Sequence, residues 1–153
     1  MLRARLGDFS SIVCFKSAIV GMEDALGDKT TAIALTAAGR SRGKRLAQEL
    51  NLVRSSLSLE EITYKLASVL GQEGTRLCII EKIQKEGDVI KVYTSETFCS
   101  ADEPQGSTRK CTYTLGAVWG AIEQIFGKRF QGKHTESVLQ GSEYDVFEFT
   151  EFS

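Results

Sequence analysis

The sequence has 153 residues, of which 42% are hydrophobic and 25% are charged, and this composition is typical of a globular domain rather than a disordered chain. Its formal net charge is −1, so no overall positive field draws it to nucleic acid or to an anionic membrane. No apolar run approaches the roughly 18 residues of a membrane span. We therefore predict one domain over residues 1–153, in which residues 1–14 form an N-terminal arm.

The four cysteines, Cys14, Cys78, Cys99 and Cys111, show neither close pairing nor CxxC spacing. Cys78 lies in an apolar run and is predicted to be a buried thiol. This pattern favours a reducing compartment over a disulfide framework. Because the N-terminus also lacks the long apolar core of a signal peptide, the predicted location is the cytoplasm.

The first half of the chain predicts three helices. Apolar spacing indicates the first over residues 16–26. Asp28 is predicted to cap the second, an alanine-rich helix that runs from residue 29 to about residue 51. Ser58, with Glu61 three residues later, has the capping-box pattern that begins the third.

The periodicity then changes from helical to strand-like. Residues 75–84 and 89–94 are rich in branched apolar side chains, and the turn residues 85–88 between them predict a hairpin. Residues 95–110 are polar and contain the single proline, so a long surface loop is predicted there.

A fourth helix is predicted over residues 111–127, with Thr112 or Thr114 as its cap. Two strand-like runs follow, at 128–137 and 144–151. The predicted order is helix, helix, helix, hairpin, loop, helix, hairpin. Because helices and antiparallel strands are segregated along the chain, the predicted fold class is α+β, an antiparallel sheet backed by helices.

Two glycines of the fourth helix, Gly116 and Gly120, lie four residues apart and therefore on one helical face. Each costs about 1 kcal/mol of helix propensity relative to alanine, which indicates that another helix, a strand or a ligand approaches closely. Aromatic residues are concentrated nearby, so the alternatives are a tightly packed core and an apolar pocket. The residues predicted to bind a ligand are Tyr113, Gly116, Trp119, Gly120, Phe130 and Phe147.

The densest charge run spans residues 39–45. Its spacing is GxxxGK, no hydroxyl residue follows the lysine and no strand precedes it, so it is not a phosphate-binding P-loop. Two interpretations remain open: an anion-binding patch, and a solvated helical face balanced by nearby acids. The cations concerned are Arg40, Arg42, Lys44 and Arg45.

Cys99, Cys111 and His134 could supply metal ligands, but their spacing matches no compact zinc motif. We predict that no metal binds; the two thiols are then unrelated and the histidine is exposed. A single histidine leaves little room for a catalytic triad, so no catalytic residue is assigned, and the sequence identifies no cofactor.

Three patches of the chain resemble the 4-vinyl reductase domain family. The first is Ala25-Leu26-Gly27 followed by Ala37-Ala38-Gly39-Arg40 and Gly43; the second is Cys111 with Leu115-Gly116 and Gly120; the third is Glu136, Gly141 and Phe147. The resemblance covers roughly residues 15–150. The family belongs to the superfamily of the ligand-binding fold in nitric-oxide signalling and Golgi transport proteins.

This resemblance implies an antiparallel sheet backed by helices, like that of a transport-particle subunit, in a domain that is often dimeric and binds a small hydrophobic molecule. The family often has cysteines where this chain has Leu139 and Asp145, which puts a thiol or metal site at that pair in doubt. A homodimer is predicted through the alanine-rich helix, with Ala34, Ala38 and Leu46 as candidate contacts.

The resulting function prediction is a non-enzymatic sensor, carrier or accessory domain that binds a hydrophobic or tetrapyrrole-like molecule. Two alternatives remain: an enzyme or accessory subunit in vinyl reduction of chlorophyll-type pigments, and a structural assembly subunit. The chain contains no glycine-rich dinucleotide-binding turn of its own.

Overall fold

The computed structural model describes all 153 residues and contains four α-helices and one four-stranded antiparallel sheet, in the order β1-β2-β4-β3. The predicted α+β class and the predicted order of elements are confirmed. No helix of the chain combines the length and the apolar character needed to cross a bilayer. The helices are α1 (Ile12–Leu26), α2 (Asp28–Glu49), α3 (Leu59–Leu70) and α4 (Thr112–Phe126), and the strands are β1 (Ile79–Glu86), β2 (Val89–Ser95), β3 (Phe130–Glu136) and β4 (Asp145–Glu151).

The two central strands supply the sheet's side of the core. β2 and β4 pair so that Ile90 lies opposite Phe149 and Val92 lies opposite Phe147, and all four side chains are fully buried. Adjacent side chains of a strand point to opposite faces, so these four share one face. Residues of α2, α3 and α4 complete the same hydrophobic cluster.

Of the three helix caps predicted from the sequence, only that of α3 is present. Ser58 accepts a hydrogen bond from the Glu61 backbone and the Glu61 carboxylate accepts one from the Ser58 backbone, so the predicted capping box is confirmed. At α2 and α4 the predicted caps are wrong. Asp28 is the first helical residue, after Gly27, and Cys111 precedes α4 without any side-chain cap.

Helices α2 and α4 cross at backbone contact through four glycines. Gly39 and Gly43 of α2 face Gly116 and Gly120 of α4. A Cβ atom built on Gly43 would lie 2.8 Å from the Ala121 nitrogen, and one built on Gly120 would lie 2.9 Å from the Lys44 nitrogen, both with a carbonyl oxygen nearer still. Such distances leave no room for a side chain, so the helix propensity lost at these glycines permits the crossing.

A charged network ties this crossing to the sheet. The Arg40 guanidinium donates to Glu123 Oε1 at 2.5 Å and lies 4.2 Å from the centre of the Trp119 ring. The second Glu123 oxygen accepts the Phe130 N–H at 3.1 Å, and Trp119 Nε1 donates to the Phe130 carbonyl at 3.0 Å. Arg40, Glu123 and Trp119 therefore fix α2, α4 and the start of β3 against one another.

Of the three residues of α2 predicted to form a dimer contact, one is buried in its own chain. Leu46 is 1% exposed and belongs to the core of its own chain, so its assignment to a dimer contact is wrong. The side chain lies on the buried stripe of α2, next to the buried Ala47. Ala34 and Ala38 are exposed, and the homodimer stays a prediction.

We expect Gly120→Ala to lower the free energy of unfolding by about 1–3 kcal/mol or more, because the added methyl group would overlap the α2 backbone. Chemical denaturation of both proteins measures the difference. Gly21→Ala is the matched control: Gly21 lies inside α1 with open space around it, so alanine should stabilise by about 0.5–1 kcal/mol through helix propensity. Equal stability of the two variants would contradict the packing role of Gly120.

Candidate functional site

The largest apolar concavity is a groove of about 1020 Å³ between the N-terminal arm, α1, α2 and the start of α4. Its aromatic wall consists of Phe15, Phe98 and Tyr113. The Phe15 and Phe98 ring centres are 4.8 Å apart, and the Tyr113 ring lies edge-on to Phe15 at 5.7 Å. The aliphatic lining residues include Ile12, Leu46, Leu70, Leu77 and Ala117.

The N-terminal arm, residues 1–11, forms the outer wall of this groove. The arm folds largely on itself: the Asp8 carboxylate accepts the N–H groups of Leu2 and Arg3, and the Arg3 side chain donates to the carbonyls of Gly7 and Phe9. Against the body, the Phe9 ring lies 4.5 Å from the Arg76 guanidinium. Residues from Ile12 onward, which the sequence analysis assigned to the arm, belong to α1.

A second, smaller cavity of about 300 Å³ lies between α1, the start of α2 and the loop after β2. Ion pairs cross it: Glu103 contacts Lys16 at 3.1 Å and Arg109 at 2.7 Å, and Arg109 also binds Glu23 at 3.0 Å. Burial raises the pKa of Glu103, but hydrogen bonds and charges from Lys16 and Arg109 outweigh it and leave that pKa below its usual value. The loop is thereby fixed to α1.

A buried carboxylate, Asp145, holds the same loop to the sheet. Its Oδ2 accepts hydrogen bonds from Thr97 at 2.8 Å and Ser100 at 2.6 Å, and its Oδ1 accepts the Val138 N–H at 3.2 Å. His134 Nε2 lies 3.2 Å from Oδ1. Burial opposes ionisation, yet these hydrogen bonds lower the pKa of Asp145 to about 2.

The prediction that the cysteines form no disulfide is wrong for one pair. Cys99 and Cys111 form a disulfide that closes the loop between β2 and α4. Cys111 lies twelve positions after Cys99, so the sequence offers no compact motif, and the pairing depends on how the loop folds back. The argument for a reducing compartment therefore loses its basis. Cys78 is a buried thiol as predicted, and burial, followed by the charge of Asp145, raises its pKa to about 12.

His134 and Cys111, predicted to be unrelated, are neighbours. The Cys111 N–H donates to His134 Nδ1 at 3.3 Å, which leaves the proton of the neutral imidazole on Nε2, facing Asp145. The histidine side chain is 3% exposed, so the predicted exposed histidine is also wrong. Hydrogen bonding of the imidazole to both sides explains its burial.

Potential ligand atoms of Cys111, His134 and Asp145 lie within 4.8 Å of one another. In this arrangement the Cys111 sulfur is bonded to Cys99 and both Asp145 oxygens accept hydrogen bonds, so a metal ion would have to displace existing partners. These residues do not fit a preformed metal site. The sequence-based expectation that no metal binds stays a prediction.

Of the six residues predicted to bind a ligand, only Tyr113 lines the groove. The space beside Gly116 and Gly120 is filled by α2, so helix packing, the alternative interpretation, accounts for both. Trp119 packs between Gly132 and Arg40, while Phe130 and Phe147 lie in the core. Ligand binding by the six residues stays a prediction, and Tyr113 is the one that the groove described above includes. Phe15 and Phe98, which also line the groove, precede the fourth helix in the sequence and were not among the predicted residues.

No protein-family model and no curated protein matches the sequence. Solved structures do. The phenol-responsive sensory domain of the transcription activator PoxR, with phenol, superposes with a TM-score of 0.71 at 14% identity, over 95% of this chain and 76% of that chain. The chain shares its fold. Trafficking protein particle complex subunit 3 from Naegleria fowleri, covalently bound to palmitic acid, gives 0.63 at 13% identity over 93% of both chains.

A vinyl-4-reductase family protein from Methanocaldococcus jannaschii is also similar, with a TM-score of 0.52 at 18% identity over 97% of this chain and 86% of that chain. The resemblance to the 4-vinyl reductase domain family and to a transport-particle subunit is thus confirmed at the level of the fold. Identities this low establish the fold alone.

We expect Asp145→Asn to destabilise the protein by about 2 kcal/mol near pH 6. The folded-state pKa of Asp145 is below the value of 3.8 for an ordinary carboxyl, so its ionisation stabilises the fold above about pH 4, and this contribution is lost as the pH falls through about 2. Urea denaturation from pH 6 to pH 2 should show the difference between variant and wild type shrinking. Asp24→Asn, at an exposed position on α1, is the control and should show no such trend. If the free energy of unfolding of Asp145→Asn differed from that of the wild type by the same amount at every pH, the stabilising role of the ionised Asp145 would be contradicted.

Proposed function

We propose that this domain binds a small apolar molecule in the groove between the N-terminal arm and the aromatic wall of Phe15, Phe98 and Tyr113, and that it acts as a sensor or carrier. The groove itself is the observation that carries this proposal. Its volume of about 1020 Å³ is at the upper end of the roughly 300–1,000 Å³ that small-molecule sites occupy. Its lining is mainly apolar, whereas the smaller cavity is crossed by ion pairs.

The aromatic wall supplies the affinity in this proposal. Burying a ring against Phe15, Phe98 and Tyr113 removes apolar surface from water and adds edge-to-face contacts. The polar side chains that line the groove, among them Arg42, Arg76 and Glu96, would orient a ligand that carries one polar end. A molecule with an apolar body and a polar end suits this distribution best.

Two of the similar structures support a ligand of this kind, because one contains phenol and the other carries palmitic acid. The two molecules differ in length, and a groove of this volume has room for either class. A competition experiment with an aromatic compound and a long-chain compound therefore determines which class binds.

The test uses N-phenyl-1-naphthylamine, a probe whose fluorescence rises in an apolar site. We expect the probe to bind the wild type saturably and to bind Tyr113→Ala about tenfold more weakly, because the truncation removes one of the three rings of the aromatic wall. Displacement by phenol, compared with displacement by palmitate, then identifies the ligand class. Trp119 contacts β3 and Arg40 rather than the groove, so its own fluorescence would not report this site.

Tyr64→Ala is the matched control, since Tyr64 lies on α3 with 76% of its surface exposed and does not line the groove. The control should bind the probe as the wild type does. Absence of saturable binding in the wild type, or an equal loss in both variants, would contradict the proposed site. Melting curves of the two variants establish that both remain folded.

A further inference from the structure

An open basic groove of about 810 Å³ lies on the other side of the α2–α4 crossing, away from the apolar groove. Three separate segments supply its cations: α2, the turn after α2, and the turn between α4 and β3. Five cationic side chains and one carboxylate line it, in a chain whose net charge is −1. The cations are Arg40, Lys44, Arg54, Lys128 and Arg129.

Most of this positive charge is unpaired. The carboxylate, Glu123, is engaged by Arg40 and by the Phe130 N–H, and Lys128 pairs with Glu151 at 3.0 Å. Lys44, Arg54 and Arg129 form neither a salt bridge nor a side-chain hydrogen bond. Three uncompensated cations around one concavity repel one another unless an anion lies between them.

The fold fixes the backbone at two of these three cations, Lys44 and Arg54. Lys44 follows Gly43 at the helix crossing, where α2 cannot shift. The turn that carries Arg54 is fixed because the N–H groups of Arg54 and Ser55 donate to the Gln124 and Ile125 carbonyls at the end of α4. A site whose elements are rigid loses little entropy when it binds a ligand.

We infer that this basic groove binds a small molecule or headgroup that carries two or more phosphate charges. Several cations that line one groove suit a multiply charged anion, and the planar guanidinium groups of Arg54 and Arg129 match the oxygens of phosphate in a two-pronged hydrogen bond. The groove adds a charged site to the chain and does not rest on the proposed apolar site. The inference extends the anion-binding interpretation of the 39–45 run to Arg40 and Lys44, which line the groove. The other two cations of the run do not: Arg42 pairs with Glu49, and Arg45 faces solvent.

Calorimetric titration of inorganic triphosphate into the full chain tests the inference. We expect saturable one-site binding to the wild type that weakens as salt is added, and at least about tenfold weaker binding to Lys44→Gln/Arg129→Gln. The matched control is Arg45→Gln/Lys85→Gln, which removes the same charge from exposed side chains outside the groove. The control should bind within about twofold of the wild type, as expected when distant surface charges are screened.

A second experiment identifies the source of the phosphate. Vesicles of phosphatidylcholine with phosphatidic acid, compared with phosphatidylcholine alone, are sedimented with each protein. Retention that is lost only in Lys44→Gln/Arg129→Gln indicates a lipid headgroup, whereas triphosphate binding without retention indicates a soluble phosphate compound. No saturable binding of either probe to the wild type, or an equal loss in the control, would overturn the inference.

Discussion

The close approach of α2 and α4 is the constraint on which the rest of the structure depends. With Gly39 and Gly43 set against Gly116 and Gly120, the two helices meet at backbone distance. The atoms that a side chain would strike belong to the main chain, so no change of a neighbouring side chain could make room for it. The crossing positions Arg40 beside Glu123 and Trp119, and these residues hold β3.

The loop between β2 and α4 is the second determinant, because it contributes to both cavities beside α1. It is anchored at three places: through the Cys99–Cys111 disulfide, through Thr97 and Ser100 to Asp145, and through Arg109 to α1. Phe98 lies within this anchored region and lines both the apolar groove and the smaller cavity. A side chain on a loop is positioned by its supporting contacts, and these anchors supply that support for Phe98.

The sequence predicts the fold well where its signals are local, as at the Ser58 capping box and the hairpin turn after β1. The site was less predictable, because its signals depend on distance in space. Two glycines four residues apart indicate close approach without identifying what approaches, and here it is α2 rather than a ligand. Likewise, Cys99, Cys111, His134 and Asp145 meet only after the loop folds back.

Helix α1 is attached differently from the other helices. Ile19 is its single buried residue, Phe15 and Met22 are only partly buried against the core, and ion pairs attach α1 to the loop, whereas α2 and α4 contribute many buried side chains. Local stability follows such differences, so amide protons of α1 should exchange with solvent through partial opening, while those of α2 and α4 exchange through global unfolding. Detachment of α1 would open both cavities beside it at a fraction of the free energy of unfolding, while the sheet and the glycine crossing stay intact.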